Sequence, residues 1–171
     1  MDFSQLVRTR YSVRAYKDTP VPEDILAQIL EAGRLAPSAH NSQPQMVYVV
    51  KTAQARQAIV DNCPCTFGAP TILVVAYDRA RERMSKMNPG FGFGEIDTSI
   101  VCTQMMLQAT DLGIGSCWIG MFNREQLQQA LKLPENMVII GLLLLGYAAE
   151  DATPLPLHTQ YRDKAETIGE L

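Results

Sequence analysis

EIDTSIVCTQMMLQATDLGIGSCWIG, residues 95–120, joins the longest helical pattern of the chain to a short strand-like run. Ile96, Ile100, Val101, Met105, Met106, Leu107, Ala109 and Leu112 cover much of a helical surface. That spread predicts a helix over 95–112 buried on more than one side, at the domain centre or in a subunit interface. Gly113 is placed to cap its C-terminus, because glycine accepts the left-handed conformation that ends helices. GSCWIG then reads as a strand returning along the helix.

Working outward, three further strands stand out: Met46–Lys51, Thr71–Tyr77 and Met137–Leu145. The last two are continuous apolar runs, which predicts strands covered on both faces. Helical patterns fill the gaps at Met1–Arg10, Val21–Leu35, Ala53–Asp61 and Asn123–Lys132, with Asp2, Thr52 and Asn123 as N-caps. Interleaved helices and strands of this kind predict an α+β or α/β sandwich, a single domain over 1–171. Arg79–Gly94 is polar and glycine-rich and reads as a mobile loop or lid. The tail from Gly146 has too little apolar content to fold alone. It is expected to lie over another surface, that of a partner subunit included.

The 171 residues are 47% apolar and 19% charged, with a net charge of −3. That is a globular composition, and the acidic balance argues against a general affinity for nucleic acid, which demands a basic face. No apolar run is long enough to cross a bilayer, and no basic segment followed by an apolar one opens the chain, so a cytoplasmic location is expected. Cys63, Cys65, Cys102 and Cys117 fit no zinc spacing and read as free, mostly buried thiols, with a redox role for Cys63 and Cys65 as the alternative.

Three segments offer chemistry. Arg8, Arg10, Arg14 and Lys17 place four positive charges in ten residues with no acidic residue between them. Arginine suits phosphate through its two-pronged fork, and Ser12 adds a neutral donor. A solvated surface segment is the plain alternative. PSAHNSQP, residues 37–44, offers Asn41 and Gln43, whose paired donors and acceptors match the edge of a heterocycle. A loop satisfying only its own backbone is the alternative there. Gly113, Gly115 and Gly120 permit close approach of backbone to a flat ligand, or simply make a cap and turns. PGFGFGE lacks the spacing of either nucleotide fingerprint. His40 and His158 accompany no nucleophile-elbow pattern, so hydrolase chemistry is poorly supported.

Taken in order, RTRYSVRAY, APSAHNSQP and LGIGSCWIG resemble the FMN-dependent nitroreductase family, and the likeness runs from the first helix through IIGLLLLGYAAE. The resemblance implies an α+β fold, a mainly antiparallel central sheet flanked by helices, and an intertwined homodimer with two shared FMN sites. It implies that Arg10, Tyr11, Ser12 and Arg14 hold the phosphate and ribityl chain, Tyr11 through its backbone. Asn41 and Gln43 match polar residues near the flavin ring. Pro37, Ser38 and Ala39 match a segment often supplied by the other subunit. Ile119 and Gly120 match the backbone facing flavin N5, and Arg162 matches a late phosphate arginine. The implied activity passes electrons from NADH or NADPH through the flavin to a small acceptor, a nitroaromatic or quinone, with ping-pong kinetics. Specialised flavin chemistry and FMN storage are the alternatives. Two departures stand out: Gln45 replaces a common aromatic, and PLHTQYRDK replaces a Lys-x-Arg pattern, leaving Arg162 and Lys164 to compete for the phosphate.

Overall fold

The computed structural model describes residues 1–171. β1 (Gln45–Val49), β2 (Thr71–Asp78), β3 (Gly115–Ile119) and β4 (Met137–Gly146) form one sheet in the order β1-β2-β4-β3, antiparallel throughout. The two apolar runs are its central strands, and each presents alternate residues to opposite faces. Leu73, Val75, Leu143 and Leu145 meet α2 (Glu23–Arg34) and α4 (Gly94–Asp111). Ile72, Val74, Leu142 and Leu144 meet the opposite layer, α3 (Ala53–Asn62) and α5 (Arg124–Ala130), through Ile59 and Leu127. The β2–β4 ladder shifts register at Val75/Ala76. Opposite Val75, Gly141 lets the Trp118 indole lie directly over the backbone, where a Cβ would collide with it.

α4 ends as expected. Gly113 adopts φ 75, and the amides of Gly113 and Ile114 donate to the carbonyls of Thr110 and Ala109 at 3.0 and 2.8 Å. α2 packs closely on α4 at Gly33, where a Cβ would stand 2.7 Å from Met105 Cγ. Within the chain, however, α4 buries one face only: Asp97, Thr98, Val101, Cys102, Met105 and Ala109 point inward. Ile96 and Ile100 remain 46% and 38% exposed. The expectation of burial on more than one side is therefore not met by one chain.

Other differences are local. α5 stops at Ala130, short of the expected Lys132, because Lys132 turns left-handed (φ 54) and the Leu133 amide donates to Gln128 O at 3.0 Å. β1 begins at Gln45 and ends at Val49. Residues 79–93 are not structureless. Met84 and Gly92 form a β-bridge, the Ser85 amide donates to Phe91 O at 2.8 Å, and the Gly94 amide donates to the Glu82 carboxylate at 3.1 Å. The segment is thus laced to the first turn of α4. α1 (Phe3–Thr9) is capped by Asp2, whose side chain accepts from the Gln5 amide at 2.9 Å, yet it buries no residue. The tail beyond Ala152, with a short α6 (Lys164–Thr167), is exposed except at His158.

Candidate active site

The arginine segment is held by its backbone. The Val13 amide donates to Ser116 O at 2.9 Å, Lys17 N–H to Tyr147 O and Ala149 N–H to Ala15 O. The Tyr16 hydroxyl donates to Val13 O at 2.8 Å, and burial raises this phenol well above its ordinary range, so it acts as a neutral donor. Val13 turns into the core while Ser12 and Arg14 turn outward, the alternation of extended chain. Arg10, Ser12 and Arg14 share the outward face and, with Tyr11, line one cavity of about 290 Å³, closed on its far side by Leu155, Leu157, His158 and Tyr161 of the tail.

Its charge is one-sided. Neither Arg10 nor Arg14 has a carboxylate within ion-pair distance. Arg14 donates to Ser12 O at 3.0 Å and lies 6.0 Å above the Phe67 ring. Beneath them burial pushes the Cys117 thiol up, with the Arg14 charge and the Ser12 hydroxyl drawing it partly back. A smaller cavity of about 170 Å³ shares Arg10 and Tyr11 and is also lined by Ser116. The buried Ser116 Oγ has no hydrogen-bond partner. Two unpaired guanidiniums, a hydroxyl and an orphaned buried hydroxyl suit an anionic, hydrogen-bonding group such as a phosphate. Of the other two basic residues, Lys17 pairs with Glu150 at 3.8 Å and Arg8 lies on α1 outside the cavity. Arg162 is exposed and is not among the lining residues; the tail presents His158 and Tyr161 instead.

β3 extends from this cavity. Ser116 pairs with Ser12 at its root, and Ile119–Gly120 lie at its other end, roughly 13 Å away at about 3.3 Å per residue. Space in front of Gly120 is open, since a Cβ there meets no atom within 4 Å.

The Pro37–Gln43 loop sits elsewhere. His40, Asn41 and Gln43 take φ 53, 54 and 47, all left-handed and all non-glycine. That geometry is maintained from outside as well as within the loop. Asp97, 2% exposed, accepts from the Ala39 amide at 2.9 Å and from the Ser42 hydroxyl at 3.5 Å, while the Gln43 amide donates to Ser38 Oγ at 3.0 Å. The side chains of Asn41 and Gln43 consequently stay exposed rather than folding back on the loop. Asp97 belongs to the first turn of α4, whereas Thr110, beside Arg10, belongs to its last. At about 1.5 Å per residue those ends stand roughly 20 Å apart. The loop also leads into β1, the sheet edge opposite β3, about 14 Å away across three strand spacings. One chain does not bring the loop and the arginines together.

The model of the nitroreductase family matches residues 7–66 and 62–147. The chain belongs to the nitroreductase family. A nitroreductase family protein of Clostridium difficile has a solved structure that aligns with 99% of this chain and 98% of its own at TM-score 0.91 and 31% identity. The structure of a nitroreductase with bound FMN from Bacteroides fragilis covers both chains fully at TM-score 0.79 and 26% identity. Among curated proteins, an NADH dehydrogenase of Thermus thermophilus is 28% identical over 92% of this chain and 93% of its own. The fold of this chain is the nitroreductase fold, here four antiparallel strands between two helical layers.

Asp97 was not among the residues that the sequence pattern singles out. An acidic residue in the first turn of a helix reads as a partner of the helix dipole. In the sequence His158 stands out only as one of two histidines.

Proposed function

We propose that this protein is an FMN-dependent oxidoreductase that takes electrons from NADH or NADPH and passes them to a small acceptor, and that it works as a homodimer with shared flavin sites. The observation that carries the reading is the uncompensated Arg10–Arg14 cavity at the root of β3, with the open backbone of Ile119–Gly120 at the other end of the strand. Bound FMN would supply a ring that accepts hydride from the nicotinamide and gives electrons to the acceptor. Arg10, Ser12 and Arg14 hold the phosphate and ribityl chain, with Tyr11 contributing backbone. The amides around Ile119 and Gly120 present fixed dipoles to the ring, which favour the charge that the ring gains on reduction. No side-chain nucleophile or general base is needed.

The second subunit follows from the separation of the two halves. A copy placed across α4 brings its Pro37–Ala39 segment, with Asn41 and Gln43, to the arginines of the first chain. Ile96, Ile100 and Leu107 line a groove of about 560 Å³ along the exposed face of α4, apolar surface that a second copy would cover. The unburied α1 and the exposed Ile168 near the end of the chain offer further surface to a second copy, while the tail around His158 stays on its own chain. No helix is long and apolar enough to cross a membrane, and all four cysteines are free, as a reducing cytoplasm would keep them.

The test is the visible spectrum of the purified protein, with the released chromophore identified, followed by NAD(P)H oxidation against quinones and nitroaromatics. FMN in the supernatant and ping-pong turnover are expected. A protein that stays colourless with added FMN overturns the reading.

A further inference from the structure

The tail closes the cationic cavity with a residue that the family pattern does not supply. Beyond Ala152, His158 alone is not exposed. A short 3-10 turn over Pro156–Thr159 sets its direction, with the His158 amide donating to Leu155 O at 2.8 Å. The turn leaves Leu157 71% exposed and points the imidazole inward. There it meets the edge of Tyr11, ring centroids 6.2 Å apart at 63°. Tyr11 in turn donates to Ala152 O at 3.4 Å, so the tail is joined to the arginine segment twice. Neither imidazole nitrogen has a hydrogen-bond partner within the chain, and no carboxylate pairs with the ring. Arg162, which the family resemblance implies for the phosphate, is exposed outside the cavity.

We infer that His158 is the tail's hydrogen-bond donor to the flavin phosphate, facing Arg10 and Arg14 across the cavity in the place expected of Arg162. The inference rests on the FMN reading and adds a binding residue to it. A phosphate monoester offers three strong acceptor oxygens and up to two negative charges. Two guanidiniums and Ser12 approach from one wall, which leaves acceptor capacity facing the other. An imidazole N–H is the polar donor that the tail presents there together with the Tyr161 phenol. The packing of the ring on Tyr11 fixes its orientation in advance, so little freedom is lost on binding.

The experiment compares FMN with riboflavin, which lacks only the phosphate, by fluorescence titration of the apoprotein at fixed pH and salt. His158→Phe keeps an aromatic ring against Tyr11 and removes the donors. FMN affinity is expected to fall about 10-fold or more, as for a lost charge-assisted hydrogen bond, with riboflavin affinity unchanged. His158→Arg should restore FMN binding, and Arg162→Ala should leave it unaltered. Equal losses for both flavins in His158→Phe would make the residue a packing element and overturn the inference, as would no loss at all. Wild-type protein that binds neither flavin overturns the FMN reading itself, a result distinct from the other two.

Discussion

The amide of Ala39 donates to Oδ1 of Asp97 across 2.9 Å, joining residues 58 positions apart. This bond fixes the loop that holds three non-glycine residues in left-handed conformations to the rigid first turn of α4. Conformations of that kind persist only where their surroundings over-determine them. Asp97→Ala leaves the Ala39 amide without its acceptor and releases the loop. The expected loss of stability is about 1–3 kcal/mol, read from the denaturant midpoint. Asp97→Asn keeps a carbonyl acceptor and should lose less. Equal stability of Asp97→Ala and wild type would show that the loop holds itself.

Arg10 and Arg14 have no anionic partner in the protein. Removing either one therefore breaks no ion pair, and the unfolding midpoint should stay near that of wild type. FMN affinity should fall by about 1.5–3 kcal/mol for each, measured by titration, and binding should weaken with added salt. Full FMN affinity in Arg10→Ala would remove that residue from the site.

Gly33→Ala sets two effects against each other. Helix propensity favours alanine by about 1 kcal/mol. The new Cβ would stand 2.7 Å from Met105 Cγ, a fully buried side chain with no room to retreat. Overpacking of this kind costs about 1–3 kcal/mol. A net loss is expected in thermal unfolding, and a net gain would show that the α2–α4 contact yields.

Ile100→Glu puts a charge in the middle of the exposed α4 face. In a shared-site dimer it should shift the protein to monomer in sedimentation and strip FMN in the same samples. A monomer that retains full FMN would falsify the shared site while leaving the fold untouched.

Burial pushes the Cys102 thiol from 9.0 up to about 12. The folded protein thus favours the neutral thiol, and its contribution is complete below pH 9. As pH rises above 9 the unfolded chain ionises first, so stability falls by about 1.4 kcal/mol per pH unit from this group until about pH 12. Cys63 and Cys117 are raised in the same direction. Denaturant midpoints between pH 8 and 10 should show the decline, and Cys102→Ala should flatten it.

Local signals carried far in this chain. Gly113, Asp2, Thr52 and Asn123 act within a few residues of themselves, and each caps where the pattern put it. The continuous apolar runs of β2 and β4 mark strands covered on both faces, as both core layers show. What the pattern missed depends on contacts made across the chain. Asp97 has its partners in another segment, and Glu82 reaches the Gly94 amide from a stretch that looked merely polar. In the tail, the family resemblance implies Arg162, whereas the residues that line the cavity from the 3-10 turn onward include His158 and Tyr161. The distance between loop and arginines was invisible because both motifs precede the helix that keeps them apart.

That distance has a thermodynamic consequence. With its cationic grip at one end of α4 and its strained loop at the other, a single chain would, under the shared-site proposal, offer half of a flavin site twice over. Cofactor and second chain would then stabilise each other by mass action, and linkage would make the effect reciprocal. Dilution should loosen the flavin, and scarce flavin should loosen the pair, so the holoenzyme population would follow the product of two concentrations rather than either one alone.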